Sequence, residues 1–211
     1  MKRVINLDNW NRKEHFKFFS ALDDPFWGIT MTVDFTSIYQ QSKNMEVSFF
    51  LYSVHFLLKC INATTAFKLR IENGEVVEYD KINISPSIGP EDGTFGFGFF
   101  EYDTDLSLFI ENAEKEIHRV KNSTGLSFSK DTARADVIRY SALPWFAFSE
   151  MKHAGSIQTG DSIPKISIGK LIQEKKKLLL PISISVHHGL VDGRNVAEFI
   201  QNVKDGQNNT L

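Results

Sequence analysis

The most apolar long segment of the chain is SFFLYSVHFLLKCI, Ser48–Ile61. It is too short to span a bilayer and contains His55 and Lys59, so it predicts a buried helix. Upstream, Gly28–Phe35 alternates as a strand, with Ile29, Met31, Val33 and Phe35 on one face and Thr30, Thr32 and Asp34 on the other. A helix is predicted over Asn9–Leu22, capped by Asp8, with Trp10, Phe16 and Phe19 among its apolar positions and a stop at Asp23-Asp24-Pro25. A short helix follows over Thr36–Gln41. Asn73-Gly74, between Lys68–Ile71 and Glu75–Ile82, is a strong hairpin signal. Thr94–Tyr102 reads as a strand with Phe95, Phe97 and Phe99 on one face and Gly96 and Gly98 on the other. Thr104–Val120 reads as a helix, with Leu106, Ile110, Ala113 and Ile117 at apolar spacing. Ala135–Tyr140 is a strand leading into Ser141-Ala142-Leu143-Pro144-Trp145. Lys165–Ile172 and Leu178–Val186 form a strand pair joined by Gln173–Lys177, and a closing helix covers Arg194–Lys204 after Gly193.

Strands and helices are mixed without strict βαβ alternation. That predicts an α/β fold, a two-layer sandwich of a mixed sheet with helices packed on one face. Neither a repeat nor a Pro/Gly/Ser-rich linker divides the chain, so residues 1–211 are expected to form a single domain.

Composition narrows the function classes. The 211 residues are 42% hydrophobic and 24% charged, ordinary values for a globular protein, but the 18 Phe are unusual and suggest an interface with other subunits. A net charge of -2 gives no global basic field for nucleic acid. The one cysteine, Cys60, excludes an intramolecular disulfide, fits a reducing compartment and sits in the apolar run, where a structural thiol is expected. The N-terminal MKRVINLDNW lacks the apolar core of a signal peptide, so a soluble cytoplasmic protein is expected.

Several motifs reduce to structure. Gly93–Gly98 lacks the strand–GxGxxG–helix context of a phosphate loop, and its glycines more simply allow close approach of another backbone or a ligand. Glu174-Lys175-Lys176-Lys177 reads as a solvated turn guarding an apolar strand. His15, His55, His118 and His153 lack metal-ligand spacing and read as surface or packed residues; no zinc signature is present, and no metal is expected.

The pair His187-His188 is different. Ile182, Ile184 and Val186 alternate with Ser183 and Ser185, so a strand delivers both histidines to a sheet end with their rings in opposite directions. Asp192 follows four residues after His188, and Gly193 lets the chain turn into a helix. On spacing alone two readings stand: two satisfied polar side chains in a loop, or a histidine general base whose loop is pinned by a carboxylate. No GxSxG elbow accompanies the pair.

His187-His188-Gly189-Leu190-Val191-Asp192-Gly193 fits HHxxxDG, and in this the chain resembles the chloramphenicol acetyltransferase family, itself related to dihydrolipoyl acyltransferase cores. Ser141-Ala142-Leu143-Pro144-Trp145 is similar to the family's SALPW block, Arg12-Lys13-Glu14-His15-Phe16 to the RKEHF of its first helix, and Asn73-Gly74-Glu75-Val76-Val77 to its DGELV turn. The similarity covers essentially the whole chain.

The resemblance implies a CoA-dependent acyltransferase fold, a homotrimer with active sites at subunit interfaces, and acetyl transfer from acetyl-CoA to a hydroxyl of chloramphenicol, an antibiotic-resistance activity. It implies His188 as general base, with its Nδ1 hydrogen-bonded to its own carbonyl, and Ser141 as donor to the oxyanion. Asp192 and Arg12 are implied as an ion pair that aims His188, worth roughly 3–5 kcal/mol if buried. Ser167 stands where the family has a water-ordering threonine. Phe19, Thr94, Phe128 and Trp145 fall at substrate-pocket positions, but Phe19 stands where relatives often carry a tyrosine, and the surroundings of Thr94 and Phe128 depart from the family pattern. The loop Asp24–Gly28 departs too, as do Arg139 and Tyr140. Lys170, Lys175, Lys176 and Lys177 are candidates to meet the CoA phosphates. Two alternatives remain: the same chemistry on another small acceptor, and an inactive trimeric ligand-binding relative.

Overall fold

The computed structural model describes residues 1–89, 93–155 and 160–208. In chain order the strands and α-helices are β1 (Lys2–Val4), α1 (Lys13–Ser20), β2 (Phe26–Asp34), α2 (Thr36–Asn44), α3 (Phe49–Asn62), β3 (Leu69–Glu72), β4 (Glu75–Tyr79), β5 (Asn83–Ile88), β6 (Gly96–Phe97), α4 (Leu106–Lys121), β7 (Val137–Ala142), β8 (Lys165–Ile168), β9 (Ile172–Glu174), β10 (Lys177–His187) and α5 (Gly193–Asn208). The main sheet runs β2-β10-β8-β7-β5-β6, with β9 pairing the start of β10; a small sheet runs β1-β4-β3. The β5–β7 and β7–β8 pairs are parallel and the others antiparallel, so the sheet is mixed.

The two faces of this sheet differ in chemistry. Ile182, Ile184 and Val186 of β10, Ile166 and Ile168 of β8, and Ile138 and Tyr140 of β7 are buried in one core with Leu51, Val54, Leu57, Leu58 and Ile61 of α3, Phe109 of α4 and Phe199 of α5. Removing that much aliphatic and aromatic surface from water is the main drive to fold. On the other face the pairing places Ser141, Ser167, Ser183 and Thr30 side by side across four strands. Ser87 of β5 extends the row, its Oγ 3.2 Å from Ser141 Oγ. The next row is Ser85, Arg139, Lys165, Ser185 and Gly28. Period-two alternation in each strand thus produces an apolar face under helices and a face of hydroxyls and charges.

The two-layer α/β sandwich agrees with the sequence; several local expectations do not. Asp8 caps no α-helix. A 3-10 turn over Leu7–Asn9 is capped by Asn6, whose side chain accepts from the Asp8 N–H, and α1 starts only at Lys13. Asp8 instead pairs with Lys13 at 2.6 Å. The strand expected over Thr94–Tyr102 is reduced to two paired residues and a bridge from Phe100 to Ile84. Its alternation survives for packing reasons. A Cβ on Gly96 would lie 2.4 Å from Ser127 Oγ and 2.9 Å from Val120, and one on Gly98 would lie 2.7 Å from Ile88 Cδ1, so only glycine lets the neighbouring side chains in. Glu91 and Asp92, just upstream, lie outside the described residues. The single strand expected over Lys165–Ile172 splits into β8 and β9 around Gly169. The hairpin at Asn73-Gly74 forms with both residues at positive φ, 51° and 81°. Ile29, on the apolar face of β2, is nonetheless 40% exposed, because β2 is an edge strand whose first half borders a cavity.

One buried charge ties the small sheet to the large one. Arg70 of β3 is 1% exposed and donates to the carbonyls of Phe67, Leu69, Ala135 and Val137 at 2.6–2.9 Å. Burial pushes its guanidinium down to about 10, so it remains charged at neutral pH. Arg70→Met would leave four carbonyls without this donor. It is expected to lower unfolding free energy by about 3–5 kcal/mol in urea titration; a loss under about 1 kcal/mol would contradict this role.

Candidate active site at the end of β10

β10 ends at His187, and the chain turns at once: the N–H groups of Leu190 and Val191 both donate to the His187 carbonyl at 3.0 Å. His187 and His188 diverge as the strand geometry requires. His187 is 3% exposed, packs edge-on against Phe26 and lines the cavity beside β2. Its Nδ1 lies 3.2 Å from the Gly189 nitrogen. Burial holds the imidazole down at about 4, and neighbouring His188 pushes the same way against the opposing pull of Asp161.

His188 turns to the other side and is clamped. Its ring stacks on Phe19 at 4.0 Å between centroids and tilts against Trp27 at 5.4 Å. Its N–H donates to Pro25 O at 2.8 Å, and its carbonyl accepts from Arg12 Nη2 at 3.2 Å. Trp27 is itself fixed by its Nε1–H donating to Val191 O at 2.9 Å. His188 Nδ1 is enclosed and has no hydrogen-bond partner among the described residues. No other described residue bonds that nitrogen, and the carbonyl of His188 itself faces Arg12.

Arg12, just before α1, also bonds Asp192 through Nη1. Asp192 does a second job unseen in the sequence. Its Oδ1 accepts from the N–H groups of Arg194 and Asn195 at 2.9 and 3.1 Å, while Asn195 Oδ1 accepts from Asp192 N–H at 3.0 Å. The aspartate is thus the N-cap of α5, at the positive end of that helix. Partial burial acts to raise its carboxyl, but the Arg12 guanidinium and the two helix N–H groups outweigh it and hold the group below the ordinary carboxylate range. The pair is only partly buried, with side chains 16% and 33% exposed. Its loss is accordingly smaller than the fully buried figure.

The remaining expected residues fall in separate places. Ser141 stands in the hydroxyl row beside Ser87, half-buried. Ser167 is wholly buried, its hydroxyl 2.9 Å from His153 Nε2. Phe128 stacks on Phe97 near β6, beside exposed Thr94, and Trp145 is 72% exposed next to Phe146. Among the described residues no hydrogen bond or ring contact joins His188 to Ser141. Lys175 and Lys176 form the tip of the β9–β10 hairpin, Lys170 is exposed, and Lys177 pairs with Asp34 at 3.3 Å.

The cavity, of about 770 Å³, lies between β2, the end of β10 and the 149–155 segment, with Trp27, Ile29, His153, Lys165 and His187 among its walls. Lys165 is 5% exposed, pairs with Asp161 at 3.1 Å and lies 3.9 Å over the Phe26 ring. His153 and Lys165 were not legible as part of this region: a lone histidine in a polar loop and a lysine opening a strand carry no motif. Among the described residues no group of His, Cys, Asp and Glu is arranged to hold a metal ion, and no helix is long and apolar enough to cross a membrane. Burial pushes the Cys60 thiol up to about 12, so it stays protonated.

Comparison with known proteins decides the family. A family model described as chloramphenicol acetyltransferase matches residues 2–204. The chain belongs to the chloramphenicol acetyltransferase family. A chloramphenicol acetyltransferase 3 of Escherichia coli is 27% identical over 208 residues, covering 98% of this chain and 97% of that protein. A solved chloramphenicol acetyltransferase structure superposes with a TM-score of 0.89 at 29% identity, covering 98% and 99% of the two chains. A probable dihydrolipoamide acetyltransferase from Listeria monocytogenes shares the fold, with a TM-score of 0.69 at 12% identity over 99% of this chain and 94% of that one. Family membership makes this chain an acyltransferase.

Two outcomes follow. Because the folded-state value of His187 lies near 4 against an ordinary 6.5, the unfolded chain binds more protons between those values, so stability is full above about pH 6.5 and falls as pH drops toward 4. His187→Gln is expected to flatten that slope in urea titrations at several pH values; an unchanged slope would count against a buried neutral His187. Asp192→Asn keeps the shape and removes the charge. It should cost about 1–3 kcal/mol of unfolding free energy, and an unchanged denaturation midpoint would show that the pair does not hold the loop.

Proposed function

We propose that this chain moves an acetyl group from acetyl-CoA to a hydroxyl of chloramphenicol, with His188 as the base. In this reading the imidazole Nε2 takes the hydroxyl proton as the oxygen attacks the thioester carbonyl carbon. The Ser141 hydroxyl donates to the resulting oxyanion. The C–S bond then breaks, and His188 returns the proton to the sulfur, releasing free CoA and the acetyl ester. Asp192 takes no proton; with Arg12 it holds the backbone that aims the ring. The observation that carries the reading is the clamp on His188: Phe19 and Trp27 hold the ring, and Arg12 and Pro25 hold its backbone. In this reading the enclosed Nδ1 carries the ring hydrogen and Nε2 is the working nitrogen.

The separation of His188 from Ser141 within one chain is read as a site completed by a second copy, in a homotrimer whose clefts lie between subunits. The polar sheet face left uncovered by helices, and exposed Phe95, Phe128, Trp145 and Phe146, support that assembly. The reading places the protein in the cytoplasm, where acetyl-CoA is available, and makes it an antibiotic-inactivating enzyme.

A second reading keeps the chemistry and changes the acceptor. It is favoured by Phe19, which faces His188 with no hydroxyl, and by the ionised Asp161–Lys165 pair at the cavity wall.

A thiol-release assay with acetyl-CoA separates these readings. Chloramphenicol is expected to drive release of CoA. His188→Ala should lower kcat by about 10²–10⁴-fold and Ser141→Ala by about 10²–10³-fold. Release with another hydroxyl compound but not with chloramphenicol would favour the second reading, and full activity of His188→Ala would refute the proposed base.

A further inference from the structure

His153 stands outside the family motifs, yet its imidazole is the described side-chain partner of Ser167, which is itself wholly buried. Ser167 lies directly beside Ser141 in the β7–β8 register and beside Ser183 in the β8–β10 register. The same short segment touches the row twice, because Ser183 Oγ donates to Met151 O at 3.5 Å. Residues 151–153 therefore lie as a strap along the hydroxyl row, with the His153 ring between Ser167 and the cavity that it lines.

The proton positions of this pair follow from the surroundings. Burial, reinforced by the nearby Lys165 ammonium, disfavours the charged ring, so the imidazole is neutral at neutral pH. Its Nδ1 is buried without a partner among the described residues. A buried N–H with no acceptor is rarer and more costly than a bare nitrogen with no donor. The hydrogen therefore belongs on Nε2, which donates to Ser167 Oγ. Ser167 then keeps its own hydrogen free to turn along the row toward Ser141, and each hydroxyl that accepts a bond becomes a better donor in turn.

We propose that His153 is a positioning residue that fixes the direction of the Ser167 hydroxyl and, through the serine row, strengthens Ser141 as a donor to the reaction's oxyanion. The last step rests on the role proposed for Ser141; the tautomer and the contact do not. An apolar side chain at this position would leave Ser167 free to rotate.

Two measurements test it. In two-bond ¹⁵N–¹H spectra of the labelled, unmodified protein, His153 is expected as the neutral Nε2–H tautomer, with its Nε2 resonance moving in Ser167→Ala; an Nδ1–H tautomer would overturn the proposal whether or not the protein turns over chloramphenicol. In the transfer assay, with whichever acceptor the protein accepts, His153→Leu should lower kcat about tenfold, the rate equivalent of one lost hydrogen bond, with KM for acetyl-CoA unchanged. His153→Gln, which keeps an N–H donor, should recover most of the loss, and His153→Leu should have no further effect in the Ser167→Ala background. An unchanged kcat in His153→Leu, no recovery by the glutamine variant, or an equal loss in the Ser167→Ala background would each overturn it. Failure of chloramphenicol alone as acceptor would bear on the assigned substrate and leave this test intact.

Discussion

The ion pair between Arg12 and Asp192 is the contact on which the site depends. It joins residues 180 positions apart in the chain, linking the start of α1 to the start of α5. Asp192 spends one oxygen on capping α5 and the other on Arg12, and Arg12 divides its guanidinium between that carboxylate and the His188 carbonyl. The turn carrying His188 is therefore fixed from both ends, by the helix that follows it and by the helix packed beside it. Phe19 belongs to that same first helix, so the clamp that aims the backbone also delivers the aromatic face on which the ring stacks.

On the proposed reading the sheet turns this local arrangement into a reaction site. Its inward face is consumed by the helices. Its other face collects hydroxyls in one row and charges in the next, because every strand there alternates and the registers align. Arg139 and Lys165 would repel one another in adjacent strands, and Asp161 bridges both at 3.2 and 3.1 Å. On the proposed reading His188 works against this hydroxyl face across a seam between two chains.

The sequence disclosed what periodicity and motif can carry. The apolar run of α3, the alternation of β2 and β10 and the Asn73-Gly74 turn are local signals, and the structure has them within a few residues. The divergence of His187 from His188 followed from strand geometry alone. What stayed hidden depends on partners distant in sequence. Nothing near Asp8 says that Lys13 will take its carboxylate while Asn6 caps the turn. Gly96 and Gly98 signalled a close approach, but not that the side chains of Ser127, Val120 and Ile88 would make it. His153 had no motif because its meaning comes from Ser167 on another strand, and Arg70 was silent because its four acceptors come from two separate segments.

The central claim is that the base and the oxyanion donor of one reaction come from different chains. The most direct measurement mixes two inactive variants, His188→Ala and Ser141→Ala, unfolds and refolds them together, and assays acetyl transfer. Each mixed trimer would then hold one site with both groups intact, so about one third of the activity per mixed trimer is predicted to return. Mixed trimers that form, are separated by a charge tag and remain as inactive as their parents would contradict the account.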